Sequence, residues 1–255
     1  MELYFYKYQG TGNDFVIVDN REINWMPDNQ LITQICDRRF GIGADGLMLI
    51  QKNAEFDFEM IYFNSDGSKS LCANGSRCAM HLAHQLGIIG SHTTFLTTDG
   101  VHTGTIADQW VSFQIFDLPD FDLIDKDYFI DNGSPHYVRF VDDAGKEDVF
   151  SKGKAIRNES RFSPGGTNVN FVEIIGNSEL FVRTFERGVE DETLSCGTGV
   201  TAAALAATHK GLKSPITVKT AGGELTVNFD QDQSGFKGIF LSGPTVPVFE
   251  GKITI

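Results

Sequence analysis

At 255 residues, 41% of them hydrophobic, the chain can bury a sizeable core as one large domain or two of ordinary size. A formal net charge of −13, with no Lys/Arg run of five or more, argues against a nucleic-acid partner, whose phosphates would be repelled. No uncharged apolar run approaches membrane-spanning length, and the opening MELYFYKYQGTGNDF has neither the basic flank nor the apolar core of a signal peptide, so a cytoplasmic protein with no membrane partner is expected. In chain order, β-branched and aromatic runs predict strands over 15–18, 47–50, 58–63 and 111–115, then over 171–174, 180–185, 216–218 and 225–229, with 27 glycines against 7 prolines supplying tight turns. Helical spacing marks 28–39, 74–86 and 198–209, the last two being the only helices expected after residue 70.

The four cysteines, Cys36, Cys72, Cys78 and Cys196, show neither CxxC spacing nor the density of a secreted disulfide scaffold, and the gap from Cys72 to Cys78 fits no zinc knuckle. Reduced thiols and no metal are expected. Two of the cysteines sit in matching places. Cys72 is followed by Ala73-Asn74-Gly75, a helical pattern and Gly87; Cys196 is followed by Gly197-Thr198-Gly199, a helical pattern and Gly211, both glycines 15 residues on. The two cysteines are 124 residues apart, and the same offset carries GIGADGLMLI from Gly41 onto GGTNVNFVEI from Gly165. The strand ending Phe63-Asn64 matches the one ending Phe185-Glu186 at an offset of 122, and GNDFVIVD, ending at Asp19, echoes SPHYVRFVD, ending at Asp142, at 123.

Four matches in one order argue for two copies of one architecture. The helix over 198–209 is apolar on nearly every side, so its own strands should enclose it. The expectation is an α+β fold of two pseudo-symmetric lobes, each a barrel-like, mostly antiparallel sheet around a central helix. Residues 1–117 carry Cys72 and are completed by a strand over 245–255; residues 118–244 carry Cys196; the two cysteines should meet at the cleft between the lobes.

A helix N-terminus offers unpaired N–H groups and the positive end of a dipole, which favour a thiolate or a bound carboxylate. Two such ends could hold one small carboxylate while a thiol on either side of the adjacent carbon removes and returns a proton. The same N–H groups would stabilise charge developing on the carboxylate. This points to inversion at an acidic carbon: racemisation or epimerisation of an amino acid without a cofactor.

The residues that carry this reading, with GTGNDF, GIGADG, FNSDGS leading to CANGSRC, GSPH, GTNVNF and FERGVEDETLSCGTG, resemble the diaminopimelate epimerase family over nearly the whole chain. The resemblance implies a pyridoxal-free, two-base interconversion of LL- and meso-diaminopimelate, serving lysine and peptidoglycan synthesis, by a homodimer with no cofactor. It makes Cys72 and Cys196 the acid–base pair, with His136 and Glu186 as ionisable neighbours that tune them. It assigns the reacting carboxylate to the N–H groups of Ala73, Asn74, Gly197 and Thr198, and the distal end of the substrate to Asn64, Asn168 and Arg187; Asn13 and Glu186 also fall on its binding positions. Four departures stand out. The motif reads CANG rather than CGNG, where a positive φ at Ala73 would be costly; Ser134 replaces an amide in GSPH; Gly46 stands where many members carry glutamine; and one extra residue follows ERG.

The other candidates read as structural. Cys36 and Cys78 are expected to pack; His81, His84 and His209 on helices, and His92 and His102 near turns, lack ligand spacing; Glu190-Asp191-Glu192 reads as a solvated loop. GTGND lacks the preceding strand and full spacing of a dinucleotide site, so no nucleotide is expected. Two alternatives stay open: a cofactor-independent racemase or isomerase acting on a different amino acid such as proline, and an inactive relative serving as a binding module. A cysteine at each junction speaks against the second.

Overall fold

A computed structural model of the chain describes residues 1–255, the side chain of Asp122 excepted. It divides into two compact units, residues 1–113 with 243–255, and residues 114–242. Both seams fall a few residues ahead of those read from the sequence. Pro244 and Thr245 already belong to the first unit: the Pro244 carbonyl accepts from Arg77, Thr245 Oγ1 meets His81 Nδ1 at 2.7 Å, and the Thr245 N–H donates to the Gln109 carbonyl.

The first unit runs β1 (Glu2–Gly10), β2 (Asn13–Asp19), α1 (Asn29–Cys36), β3 (Gly46–Gln51), β4 (Glu59–Asn64), α2 (Ala73–Gln85), β5 (His92–Thr97), β6 (Gly100–Ala107) and β7 (Trp110–Ile115). The last strand of the chain, β17 (Val246–Thr254), returns to pair antiparallel with β1. β1–β2, β3–β4, β5–β6 and β6–β7 are antiparallel; β2–β3 and β4–β5 are parallel, because a helix crosses over between each pair. β2 and β3 are covered on both faces and so read as unbroken apolar runs, whereas β1, β5, β6 and β7 alternate buried with more exposed positions. Val16, Val18, Leu47, Leu49 and Phe63 pack on one face with Ile32, Ile35 and Cys36 of α1. Phe15, Met48 and Tyr62 point to the opposite face, where a Cβ on Gly75 of α2 would lie 3.1 Å from Met48 Sδ and 3.4 Å from Phe15 Cε1. α2 is buried from Ala73 to Ala83.

The second unit repeats the plan. It runs β8 (Asp122–Ile124), β9 (Asp127–Asp131), β10 (Pro135–Phe140), α3 (Val149–Arg157), β11 (Asn168–Gly176), β12 (Glu179–Glu186), β13 (Asp191–Thr193), α4 (Gly197–Ala207), β14 (Ile216–Thr220), β15 (Gly223–Asp232) and β16 (Gly235–Pro244). Here β10–β11 and β12–β14 are parallel pairs, and β8–β9, β9–β10, β11–β12, β12–β13, β14–β15 and β15–β16 are antiparallel. Tyr137, Val169, Phe171 and Phe185 pack on one face with Val149 and Ile156 of α3. α4 is buried all round, Thr198 alone being partly exposed.

Two expectations need correcting. α3 is a helix that the sequence reading passed over, and its Gly153 is demanded by packing, since a Cβ there would lie 2.3 Å from Phe185 Cβ. The offsets are also wrong for two of the repeated stretches. In the first unit Gly46 pairs with Phe15 on one side and Asn64 on the other. In the second, Asn168 pairs with His136 and lies one step beyond the Val169–Phe185 pair, opposite Glu186. Gly46 therefore corresponds to Asn168 and Phe15 to His136, offsets of 122 and 121 rather than 124 and 123. The cysteines keep 124 because the second unit has two more residues between its strand end and its helix, ten from Glu186 to Cys196 against eight from Asn64 to Cys72. Among the described residues, no helix is long and apolar enough to cross a membrane.

Candidate active site

In the first unit Cys72 is the N-cap of α2, with extended φ −129° and ψ 106°, and its Sγ accepts from the Gly75 N–H at 3.4 Å. Helix geometry leaves the first-turn N–H groups, those of Ala73 and Asn74 among them, without an acceptor inside the helix. Ala73 is not among the residues with positive φ, so the alanine of CANG is accommodated as an ordinary helical residue. Asn13, at the start of β2, presents its Oδ1 to Cys72 Sγ at 3.5 Å and to Asn74 Nδ2 at 3.4 Å. That orientation is fixed from behind, because Asn13 Nδ2 donates to Asp45 Oδ2 at 2.6 Å, and Asp45 also receives Arg38. Arg38 and Lys7 clamp Asp14; burial pushes its carboxyl up, but the hydrogen bonds from Arg38 and Lys7 outweigh this and bring it down to about 2. Asn64 closes β4, its Nδ2 donating to Ser68 Oγ at 2.9 Å and Ser70 Oγ at 3.1 Å in the turn that leads to Cys72.

In the second unit Cys196 caps α4 with φ −106° and ψ 110°. Its Sγ lies 3.6 Å from Thr198 Oγ1, which lies 2.9 Å from His136 Nε2. His136 Nδ1 faces Asn170 Nδ2 at 3.2 Å, and Asn170 Oδ1 accepts from Thr184. Asn168 Nδ2 donates to Ser134 Oγ and to the Pro135 carbonyl, both at 2.9 Å, and its Oδ1 accepts the Arg187 N–H at 2.9 Å. Glu186 Oε2 accepts from Thr193 Oγ1 at 2.7 Å. His136 is completely buried; desolvation first, and the nearby Arg187 cation second, push it down to about 3, so it is neutral at neutral pH. It is thus a neutral hydrogen-bond donor to Thr198 and not a charged neighbour of the thiol.

Hydrogen-bond contacts join Asn13 to Cys72 and Asn74, with Asn64 in the turn that leads to Cys72, and join Thr198 and then His136 to Cys196; Asn168, Glu186 and Arg187 lie where the start of β11 meets the end of β12 in the same unit as Cys196. The sequence reading missed Asp45, which sets the Asn13 amide, and Asn170, which sets the His136 tautomer. Asn170 was within reach, since it lies two residues after Asn168 and so on the same face of β11. It also missed Tyr62. A Cβ on Gly46 would lie 2.4 Å from Tyr62 Cε2 and 2.7 Å from Tyr62 Oη, so the tyrosine fills the place of a side chain at 46. Gly199 is similarly constrained, a Cβ there falling 2.4 Å from Asn170 Oδ1. The acidic run is not a free solvated loop: Glu190 pairs with Arg157 and Glu192 with Arg183, each at 2.8 Å or less, and Asp191–Thr193 forms β13. Cys36 and Cys78 are buried thiols, and burial raises both above the ordinary range. Among the described residues no three His, Cys, Asp or Glu side chains gather as metal ligands.

The family model described as diaminopimelate epimerase matches residues 5–114 and 128–247. A relative from Flavobacterium psychrophilum named diaminopimelate epimerase is 47% identical over 253 residues, covering 97% of this chain and 99% of its own. One of the same name from Aquifex aeolicus is 40% identical over 274 residues, covering 98% and 97%. A solved structure described as a Bacillus anthracis phenazine biosynthesis protein of the PhzF family superposes with a TM-score of 0.78 over 100% of both chains at 15% identity, a likeness of fold alone. With a family model covering most of both units and such identity along nearly its full length, the chain belongs to the diaminopimelate epimerase family.

Proposed function

We propose that the chain interconverts LL- and meso-diaminopimelate without pyridoxal or metal, using Cys72 and Cys196 as a two-thiol acid–base pair. The carrying observation is that each unit caps one buried helix with a cysteine, at the position where N–H groups and the helix dipole favour a thiolate. In the forward direction one thiolate takes the α-proton. The electron pair left on carbon delocalises into the α-carboxylate, whose charge the N–H groups of Ala73, Asn74, Gly197 and Thr198 stabilise. The other thiol delivers its proton to the opposite face, and the two sulfurs end with their protonation states exchanged. Arg187 supplies a cation for the distal carboxylate, which would otherwise be costly to bury. Asn13, Asn64, Asn168 and Glu186 supply polar contacts. The same reading takes the active form to be a cytoplasmic homodimer, which sedimentation of the purified protein tests.

The decisive experiment follows inversion and α-proton exchange of LL-diaminopimelate in D2O for the wild type, Cys72→Ala and Cys196→Ala. The wild type should invert the substrate with solvent deuterium at the α-carbon, with chelator present and no pyridoxal added. Each alanine variant should lose inversion, since thiols acting as a unit are strongly non-additive. Near wild-type inversion by Cys72→Ala, or a wild type that inverts proline in preference to diaminopimelate, would replace this reading.

A further inference from the structure

Asn74 and Thr198 stand in matching places, each two residues beyond the cysteine that caps its helix, yet the hydrogen bonds that run through them have opposite polarity. In the first unit they are anchored at both ends by groups that allow one direction only. Arg77, wholly buried on α2, can only donate, so its Nη2 fixes the Asn74 carbonyl oxygen at 2.7 Å and turns the Asn74 amide toward Asn13 Oδ1. Asp45, ion-paired to Arg38, can only accept, so it takes Asn13 Nδ2 and leaves Asn13 Oδ1 facing Cys72 Sγ at 3.5 Å. The Gly75 N–H donates to the same sulfur at 3.4 Å. A thiol satisfies both neighbours, donating to Asn13 and accepting from Gly75; a thiolate is left facing an oxygen that has nothing to give it.

In the second unit the anchor works the other way. The Tyr137 carbonyl can only accept, so Asn170 turns its Nδ2 to it at 3.1 Å, and the same nitrogen reaches His136 Nδ1 at 3.2 Å, which must accept in turn. The neutral ring then carries its proton on Nε2, 2.9 Å from Thr198 Oγ1. With that oxygen accepting from the ring, the Thr198 hydroxyl proton is directed to Cys196 Sγ at 3.6 Å. The side chain that meets Cys196 is therefore a donor, which favours the thiolate. Both sulfurs cap helices, so the helix dipole acts alike on each and does not separate them.

Other ionisable groups surround each sulfur. Arg77, Cys78 and His81 share α2 with Cys72, and Tyr8 on β1, Tyr62 on β4 and His102 on β6 belong to the strands around it. Behind β2, Asp14 is neutralised by Lys7 and Arg38, and Asp45 by Arg38. The Arg77 charge works toward a Cys72 thiolate, but the guanidinium is turned onto the oxygens of Asn74 and Pro244. Near Cys196 stand His136 on β10 and Glu186 and Arg187 at the end of β12, while Tyr128 on β9 packs against His209 beyond the other end of α4. Among the described residues, β11, β14 and β15 bury only amide and apolar side chains.

We propose that Asn13 and Thr198 are positioning residues that make the two thiols unequal in the free enzyme: the Asn13 oxygen holds Cys72 as the thiol, and the Thr198 hydroxyl, oriented by His136, holds Cys196 as the thiolate. This rests on the reading of the two cysteines as the acid–base pair. The free enzyme then enters turnover in one sense. The substrate C–H bond breaks and its proton goes to Cys196 Sγ, the Cys72 S–H breaks and its proton goes to the other face of the carbon, and the sulfurs are left in the reverse of their resting order.

The test measures the pH midpoint of iodoacetamide labelling at each cysteine, read peptide by peptide by mass spectrometry in the full chain without substrate. Midpoints are compared rather than rates because Cys196 is the more buried of the two. In the wild type the Cys196 midpoint should lie below that of Cys72. Thr198→Val removes the donor and should raise the Cys196 midpoint by on the order of one pH unit, a roughly tenfold loss of thiolate near neutrality, while Thr198→Ser should stay near the wild-type value. Asn13→Ala removes the acceptor and should lower the Cys72 midpoint. Equal or reversed midpoints in the wild type overturn the proposal, and so does an unshifted Cys196 midpoint in Thr198→Val that circular dichroism shows to be folded. Should Thr198→Val not fold, the wild-type order and Asn13→Ala decide, and a Cys72 midpoint that does not fall in Asn13→Ala overturns the proposal equally. Because labelling needs no turnover, an active Cys72→Ala would sink the acid–base reading without touching the order of the midpoints.

Discussion

His136 reaches Cys196 only through Thr198, and the donors along that chain can be assigned. Asn170 must spend its Oδ1 on Thr184, so its amide nitrogen faces His136 Nδ1, which is then the acceptor; the ring proton sits on Nε2 and points at Thr198 Oγ1. The Thr198 hydroxyl proton is left to turn toward Cys196 Sγ. A histidine charged at neutral pH would break this chain at Nδ1. Its pKa near 3 in the folded state, against an ordinary 6.5, has a consequence for stability. Between those values the unfolded chain binds a proton that the folded protein refuses, so stability is fully present above pH 6.5 and falls as pH drops toward 3. At pH 5 the loss from this one group is about 2 kcal/mol. In urea unfolding, the stability difference between the wild type and His136→Gln should therefore shrink by about that amount between pH 7 and pH 5. A difference that stays constant over this interval would mean that His136 titrates normally. At this scale the two cysteines were legible because each heads a glycine-bearing turn before a helix. Arg77 was not, because an arginine in a helix reads as surface, and only three dimensions reveal that nothing of it is exposed.

Elements set the spacing of these groups, and glycine decides how closely two of them approach. α3 packs so tightly on β12 that a methyl at Gly153 would overlap Phe185 at 2.3 Å from Cβ and 2.7 Å from Cγ. In an exposed helix Gly→Ala stabilises by about 1 kcal/mol. Here the overlap costs about 1–3 kcal/mol and acts on backbone-proximal atoms that cannot swing away. Gly153→Ala should therefore destabilise, lowering the urea midpoint with little change in slope; a raised midpoint would show that α3 can lift off the sheet without cost. The same glycine hid the helix from sequence reasoning, since a nine-residue VFSKGKAIR with a central glycine lacks the length and purity of a helical signal. α2 and α4 had both. The register of the repeat was half legible: strand identity followed from β-branched and aromatic runs, but a slip of two residues leaves every side chain on the same face, so apolar pattern could not choose between 122 and 124. Hydrogen-bonded pairing chose, and it placed Gly46 with Asn168. The hollow at Gly46, with the Tyr62 ring lying over it, was invisible for the same reason: β4 reads as a strand whichever neighbour its tyrosine covers.

At the scale of the whole chain, the two copies differ in how they are closed. The second unit is one continuous stretch, residues 114–242, whereas the first needs residues 243–255 to return from the far end of the sequence. That return is extensive. β17 pairs with β1 from Glu2–Thr254 to Gln9–Val246, Phe249 packs edge-on against Phe5 with ring centroids 5.9 Å apart, and Gly251 lies within 3.0 Å of the Phe5 ring when given a Cβ. Just ahead of it, Pro244 and Thr245 hold Arg77 and His81 of α2. Removing residues 245–255 strips β1 of its outer partner and leaves a long unpaired strand edge rich in tyrosine and phenylalanine, a template for aggregation. It also removes Thr245, which fastens His81 on α2, the helix that Cys72 caps. The second unit loses nothing of its own ladder. Hydrogen exchange on a chain ending at residue 244 should show amides of β1, β2 and α2 exchanging many-fold faster than in the full chain, while those of β10–β12 and α4 keep their protection. Equal loss of protection in both units would mean that they unfold as one cooperative body, and unchanged protection in β1 would mean that the C-terminal strand is dispensable to the first unit.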